Sequence, residues 1–190
     1  MLLEQTRQRE YTADEFEALM LDPEYEDRLM ELIDGELMEK MPHELHGLIV
    51  AWIARYLLNF IIDHSIKGRV TTEAMHRTLA NSRNLFLPDV AFRAGVKPLV
   101  TKGSVMEMPD LAVEVKSGSN TLKGLRQKAR IYLESGTRIV WLVLPDRKLV
   151  EVYTAAEEWV LGVGDTLNGG DVLPGFTLPV EAIFVDTAAE

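Results

Sequence analysis

The chain predicts an α/β fold of the α+β kind, a mixed β-sheet flanked by helices. Three observations carry this. Over residues 44–63, Leu48, Ile49, Trp52, Ile53, Tyr56, Leu57, Phe60 and Ile61 recur at helical spacing, one wide apolar face. Residues 138–145, RIVWLVLP, are an almost unbroken apolar run of strand length, as expected of a strand covered on both faces. Around these lie short runs such as LFLPDVAF (85–92) and DLAVEVKS (110–117), bounded by Gly, Pro, Asn and Asp.

From the N-terminus, Thr12 and Glu15 have the spacing of a capping box, so a short helix is expected to begin there. Residues 29–41 are apolar stretches interrupted by Asp34-Gly35, a hairpin signal. The long helix 44–63 follows, then the strand-like segments GRVTTEAMHRTL (68–79) and LFLPDVAF. Residues 94–109 read as a polar loop with Gly95, Pro98, Gly103 and Pro109. After the strand 110–117, Asn120 or Thr121 can cap a helix over about 121–135, with Leu122, Leu125, Ala129 and Leu133 on its apolar face and Gly136 as its stop. The strand 138–145, a hairpin of KLVEVYT and EEWVLG, and a tail of turns ending in a short apolar docking segment complete the chain.

With 190 residues and neither a repeat nor a linker-like stretch, one domain over 1–190 is expected. Thirty acidic residues against 20 basic ones give a net charge of −10, which argues against a whole-surface grip on DNA or on an anionic membrane and leaves room only for a local basic patch. There is no cysteine, which excludes disulfides, thiolate metal sites and cysteine nucleophiles. The opening MLLEQTRQRE lacks the apolar core of a signal peptide, and no run is read as long enough for a membrane span. A cytoplasmic protein without a membrane partner is the expectation.

The chemistry-bearing residues sit in the two short strands. Alternation puts Leu111, Val113 and Val115 on one face of 110–117, and Ala112, Glu114 and Lys116 on the other. In 85–92, Asp89 and Ala91 share a face opposite Val90 and Phe92. If the strands pair, two carboxylates and an ammonium converge beside the sheet. That residue set suits a hard divalent cation, which takes oxygen ligands and keeps several waters, and a lysine that stabilises developing charge. The other reading is a solvated Glu–Lys pair and a Pro-Asp that only marks a strand start. One ammonium cannot neutralise two carboxylates, so a metal-free site of this kind is expected to be a strained like-charge cluster.

Lys116, Lys123, Arg126, Lys128 and Arg130 fall within fifteen residues that contain no acid. Lys123, Arg126 and Arg130 share a helical face and Lys128 sits off it, so this segment is the candidate phosphate-contacting patch, or else a solvated helix face. Glu31 and Glu36 flank the Asp-Gly turn; Glu36 or Glu44 would complete the site if either is more than a surface carboxylate, and Glu73 reads as structural. His43 and His46, three apart at the start of the long helix, read either as helix-start packing or as a metal pair. Leu58 and Ile62 widen the apolar face of that helix beyond one sheet contact, which suits core or a homodimer interface.

Asp89 followed by Glu114-Val115-Lys116 resembles the PD-(D/E)xK nuclease signature. Seven blocks extend the likeness: ELIDGEL (31–37), HGLIV (46–50), RVTTE (69–73), LPDVAF (87–92), DLAVEVKSGSN (110–120), YLESGTRIVWLVLP (132–145) and GDTLNGGDVLPGFTLPV (164–180). Together, over about residues 28–184, they resemble the Uma-type family of putative restriction endonucleases. The resemblance implies a restriction-endonuclease-like fold and a Mg²⁺- or Mn²⁺-dependent hydrolase, an endonuclease acting on DNA. It implies Asp89, Glu114 and the Val115 carbonyl as metal ligands and Lys116 as the catalytic lysine. Lys128 matches a recurrent family lysine that can reach the site. A non-catalytic nucleic-acid-binding or assembly module of the same fold is the alternative, favoured by the acidic composition.

Overall fold

The computed structural model describes residues 9–25, 27–118 and 120–186; most of the N-terminal segment weighed above as a leader lies outside them. Helix α1 (Ala13–Leu19) carries the expected capping box between Thr12 and Glu15. Strands β1 (Met30–Ile33) and β2 (Glu36–Glu39) form the hairpin, turning at Asp34 (φ 51°) and Gly35 (φ 85°). Positive φ at both central residues is what a type I′ turn requires and what Asp-Gly tolerates. Helix α2 spans Glu44–Asp63.

Six further strands precede and follow helix α3 (Leu122–Glu134): β3 (Gly68–Thr71), β4 (His76–Thr78), β5 (Asn81–Phe86), β6 (Val90–Ala94) and β7 (Leu111–Val115) before it, and β8 (Ile139–Leu144) after it. Then come β9 (Leu149–Thr154), β10 (Glu158–Leu161), β11 (Thr166–Gly169), β12 (Leu173–Pro179) and a closing 3₁₀ turn at Val180–Phe184. A six-stranded sheet has the order β10-β9-β8-β7-β6-β3, a four-stranded one β2-β1-β5-β4, and β11 pairs with β12. Within the large sheet only β7 and β8 run parallel. A parallel neighbour needs a crossover, and α3 supplies it.

The large sheet is covered on both sides. Val90, Phe92, Leu111, Val113, Val115, Trp141 and Val143 pack against Ile49, Ile53, Leu57 and Ile61 of α2 and against the C-terminal hairpin. Ala112, Val140 and Leu142 pack against Leu125, Ala129 and Tyr132 of α3. This explains why every residue of β7 and β8 is buried.

Three expectations change. LFLPDVAF is not one strand: β5 and β6 belong to different sheets, and Leu87-Pro88-Asp89 crosses between them. Proline has no N–H for a ladder, and the Pro88 carbonyl instead accepts from Glu73 N at 3.1 Å. The tail is a β-hairpin rather than turns alone. By length and composition α2 is apolar enough to cross a membrane, contrary to the sequence reading. A core helix passes the same test, and His46, Ile49, Ile53, Ala54, Leu57 and Ile61 of α2 are buried against the sheet. Leu58 and Ile62, read as widening that face, are 40% and 68% exposed.

Candidate active site

The β6–β7 register pairs Val90 with Val113 and Ala91 with Ala112, so Asp89, the residue just before β6, comes opposite Glu114 at the end of the pairing. Both carboxylates are buried, at 1% and 2% exposure. A buried charge needs partners, and the elements that supply them come from across the fold.

Asp89 is held by three donors. Val115 N donates to Oδ2 at 2.6 Å. His46 Nε2, from the first turn of α2, lies 3.1 Å from the same oxygen. Lys40, just past the end of β2, donates its ammonium to Oδ1 and, at 2.7 Å, to the Leu87 carbonyl. Burial works to raise the Asp89 carboxyl, but the His46 hydrogen bond and the Lys40 charge override it and hold the pKa at about 2.

Glu114 takes its partners from α3. Tyr132 OH donates to Oε1 at 2.8 Å and Lys128 Nζ lies 2.9 Å from that oxygen. Lys128 also reaches both oxygens of Glu31 on β1, at 2.8 and 2.6 Å. Burial pushes the Glu114 carboxyl up despite the Lys128 charge. Lys128 is itself buried, yet Glu114 and Glu31 raise its pKa against that burial, which keeps it charged. Tyr132 is raised well above the usual phenol by burial and by Glu114, so it stays a donor.

The predicted pair Asp89 and Glu114 therefore comes together, while Lys116 stands apart from it. Lys116 Nζ is 3.8 Å from Asp146 and 3.5 Å from the Ser117 carbonyl. With His43, His46 and Asp146 it lines a cavity of about 140 Å³. His43 Nε2 accepts the Gly118 N–H at 3.0 Å and so pins the loop after β7 to the start of α2. A second cavity, about 370 Å³, opens on the other flank and is lined by Glu31, Glu36, Asn120 and Lys128. Glu36 lines that cavity with its side chain exposed, and Glu44 is exposed.

Two expectations are corrected here. Three carboxylates (Glu31, Asp89, Glu114) face two ammonium groups (Lys40, Lys128), so the metal-free cluster is largely neutralised and not the like-charge pair expected beside Lys116 alone. Lys128 is not part of a surface patch, because it is buried against Glu31 and Glu114. The rest of the patch is also compensated. Arg126 makes a two-pronged contact with Glu151, at 2.9 and 2.5 Å, and Arg130 lies 3.3 Å from Glu158. Lys123 is exposed, with no ion pair among the described residues.

Glu151 is only 4% exposed and also accepts from Tyr153 OH at 2.6 Å. Arg126→Ala is expected to cost about 1–3 kcal/mol by leaving that carboxylate without its cation. Urea unfolding measures this; an unchanged midpoint would return Arg126 to the solvent-facing patch.

Among the described residues no group of three or more His, Asp or Glu is arranged to hold a metal ion. Sequence reasoning missed Lys40 and Tyr132 and took Glu31 for a turn-flanking carboxylate. One signal was available: Lys128 falls between Leu125, Ala129 and Tyr132 on the inward face of α3, a position a lysine occupies only when paired.

A family model described as "Putative restriction endonuclease" (Uma2) matches residues 13–181. No curated protein matches the sequence. Among solved structures, the fold is similar to that of a putative nuclease belonging to DUF820 from Anabaena variabilis ATCC 29413, with 21% identity, 92% of this chain and 97% of that chain covered, and a TM-score of 0.76. A cryoEM structure of a DrdV–DNA complex aligns over 73% of this chain and 14% of that chain at 15% identity, with a TM-score of 0.35, too low to carry an argument.

Proposed function

Since the chain belongs to the Uma2 family of putative restriction endonucleases, we propose that it is an endonuclease that hydrolyses DNA phosphodiester bonds with Mg²⁺ or Mn²⁺. The observation that carries this is the convergence of Asp89 and Glu114 on one face of paired strands, buried but surrounded by cations. The donors fit a hard cation: all are oxygens, and the bonds among the described residues engage only Oε1 of Glu114. Asp89, Glu114 and the Val115 carbonyl would hold the ion. When bound, it would lower the pKa of a water and neutralise phosphate charge.

The chain's own residues do the rest. Lys40, His46 and Val115 N fix both oxygens of Asp89. Lys128 and Tyr132 fix Glu114, and the Lys128 and Lys40 charges oppose the burial that favours its protonation. Lys116, half-exposed on the His43–His46 cavity, would donate to a phosphate oxygen as charge develops on it. Water adds to phosphorus, one ester P–O bond breaks, and the leaving oxygen takes the proton. A two-fold homodimer would present two such sites to two strands, and Leu45, Leu58 and Ile62 on the outer side of α2 are the exposed apolar residues that reading uses.

Incubation with supercoiled plasmid, single strands and branched DNA, with Mg²⁺, Mn²⁺ or EDTA, tests the proposal. Metal-dependent cleavage that Asp89→Asn eliminates is the expected result. Binding without cleavage under every condition would favour a non-catalytic nucleic-acid-binding or assembly module. The internal neutralisation by Lys40 and Lys128 supports that second reading.

Lys116→Ala is expected to lower turnover by roughly 10²–10³ with metal affinity and melting temperature unchanged. Single-turnover rates and a metal titration separate these quantities. Unchanged turnover would shift the charge-stabilising role to Lys128.

A further inference from the structure

Four residues beyond Asp89 and on the order of 13 Å away by strand rise, the sheet carries an unbalanced group of cations. Alternation places Ala91 and Arg93 on one side of β6, which Asp89 immediately precedes, and the β3–β6 register sets Arg69 directly opposite Arg93. Facing residues on antiparallel strands have Cβ atoms roughly 4.5–5.5 Å apart, where like charges repel. Arg93 Nη1 is 3.7 Å from Glu107, a carboxylate that Lys97 also engages. Arg69 donates to the Pro98 carbonyl at 3.4 Å. Two cations, Arg93 and Lys97, thus share Glu107, Arg69 has no ion pair among the described residues, and the Arg93 side chain is only 11% exposed.

His76 supplies an independent observation. It is 2% exposed, with Nδ1 2.9 Å from the Glu107 carbonyl, while Nε2 is buried without a hydrogen-bond partner among the described residues. Arg69, Thr71, His76 and Arg93 line one cavity of about 70 Å³. A single water needs about 10–15 Å³ in such a measure, so a tetrahedral oxyanion has room.

We propose that Arg69, Arg93 and His76 form a phosphate-binding site beside β6, separate from the Asp89–Glu114 cluster. The two guanidinium groups supply planar donor pairs that match phosphate oxygens. Nδ1 of His76 lies against a carbonyl and carries a proton, so Nε2 is left to accept from a P–OH or, in the protonated ring, to donate to a phosphate oxygen. The occupant is a backbone phosphate of a nucleic-acid strand lying along β6 or the phosphate of a free ion or nucleotide. Only the first source rests on the proposed function.

The test uses the full chain in EDTA, as parent, Arg69→Gln and Arg93→Gln. Inorganic phosphate is titrated while the His76 ring nitrogens are followed by NMR, and a fluorescein-labelled single-stranded oligonucleotide is titrated by anisotropy. Phosphate should shift the Nε2 resonance in the parent and not in either variant. If the occupant is a strand, the oligonucleotide displaces phosphate, each variant binds it roughly tenfold more weakly, and the slope of log K against log salt falls by about one. If the occupant is free phosphate, the His76 shift is lost in the variants while oligonucleotide affinity is unchanged. An Nε2 resonance that moves with neither probe overturns the proposal. Arg69 is on the edge strand, so Arg69→Gln carries the test should Arg93→Gln not fold. Asp89→Asn removes cleavage and leaves this binding intact, so the two proposals fail separately.

Discussion

Asp89→Asn is expected to destabilise the metal-free protein by about 2–3 kcal/mol as well as to abolish cleavage. The side chain keeps its shape, but Lys40 loses its counter-charge in a buried place, and removing one member of a buried pair costs more than the pair contributes. Asp89 accepts from Lys40, Val115 N and His46, and against the burial that would raise it the His46 hydrogen bond and the Lys40 charge hold its pKa at about 2, below an ordinary 3.8. That gap corresponds to about 2 kcal/mol. Because the folded value is the lower one, the contribution is whole above about pH 4 and is lost as pH falls towards 2. Glu114 has the opposite sign. Burial raises its pKa, so its protonation favours the fold, a gain complete below the ordinary value of 4.5 and lost as pH rises through the folded one. Urea unfolding in EDTA at pH 7 of the parent, Asp89→Asn and Glu114→Gln checks this asymmetry: the first variant falls and the second falls less or gains. Saturating Mg²⁺ should stabilise the parent by roughly 2.7 kcal/mol at a hundredfold excess over Kd and leave Asp89→Asn almost unmoved. A more stable Asp89→Asn would restore the picture of two repelling carboxylates.

What was legible in the sequence divides by the range of the interactions. Helices α2 and α3, the β1–β2 hairpin and the buried strand β8 announce themselves through local period, caps and turn residues, and the structure has them within a residue or two. Alternation along β6 and β7 was enough to place Asp89 and Glu114 on one face. It did not say which ammonium groups meet them. Lys40 lies 49 residues from Asp89, and Lys128 lies 97 residues from Glu31. Both contacts depend on how the four-stranded sheet meets the large one, a docking that no local pattern encodes. The same limit hid the break at Leu87-Pro88-Asp89. An apolar run through a proline looks like one strand until its halves are seen to belong to different sheets. Proximity in sequence also misled at Lys116, which lies beside Glu114 in the chain but whose ammonium turns to Asp146, while the helix contributes Lys128.

Lys128→Met is expected to be the most damaging single change, at about 3–5 kcal/mol, because it strands two buried carboxylates at once. Methionine fills much the same volume, so a packing defect contributes little. Glu31 and Glu114 are 4% and 2% exposed, and among the described residues Lys128 is the only ammonium within ion-pair distance of either. Glu31→Gln in the Lys128→Met background removes one stranded charge and should recover at least 1 kcal/mol, a coupling that a double-mutant cycle reads directly. Lys116→Ala should move stability by no more than about 0.5 kcal/mol, since its partner Asp146 is 81% exposed. The activity should separate the two lysines as well. Without Lys128 the Glu114 carboxyl rises further, so the protein must be taken to higher pH before that ligand ionises. The acidic limb of the cleavage profile therefore shifts upward in Lys128→Met, while in Lys116→Ala the profile keeps its position and loses height. Unfolding curves and pH–rate profiles of these variants, with Glu31→Gln alone to close the cycle, measure all of this. A Lys128→Met protein as stable as the parent, with an unmoved acidic limb, would mean that Lys128 does not neutralise Glu31 and Glu114 in solution, and the charge balance of the site would have to rest on Lys40 and a bound cation alone.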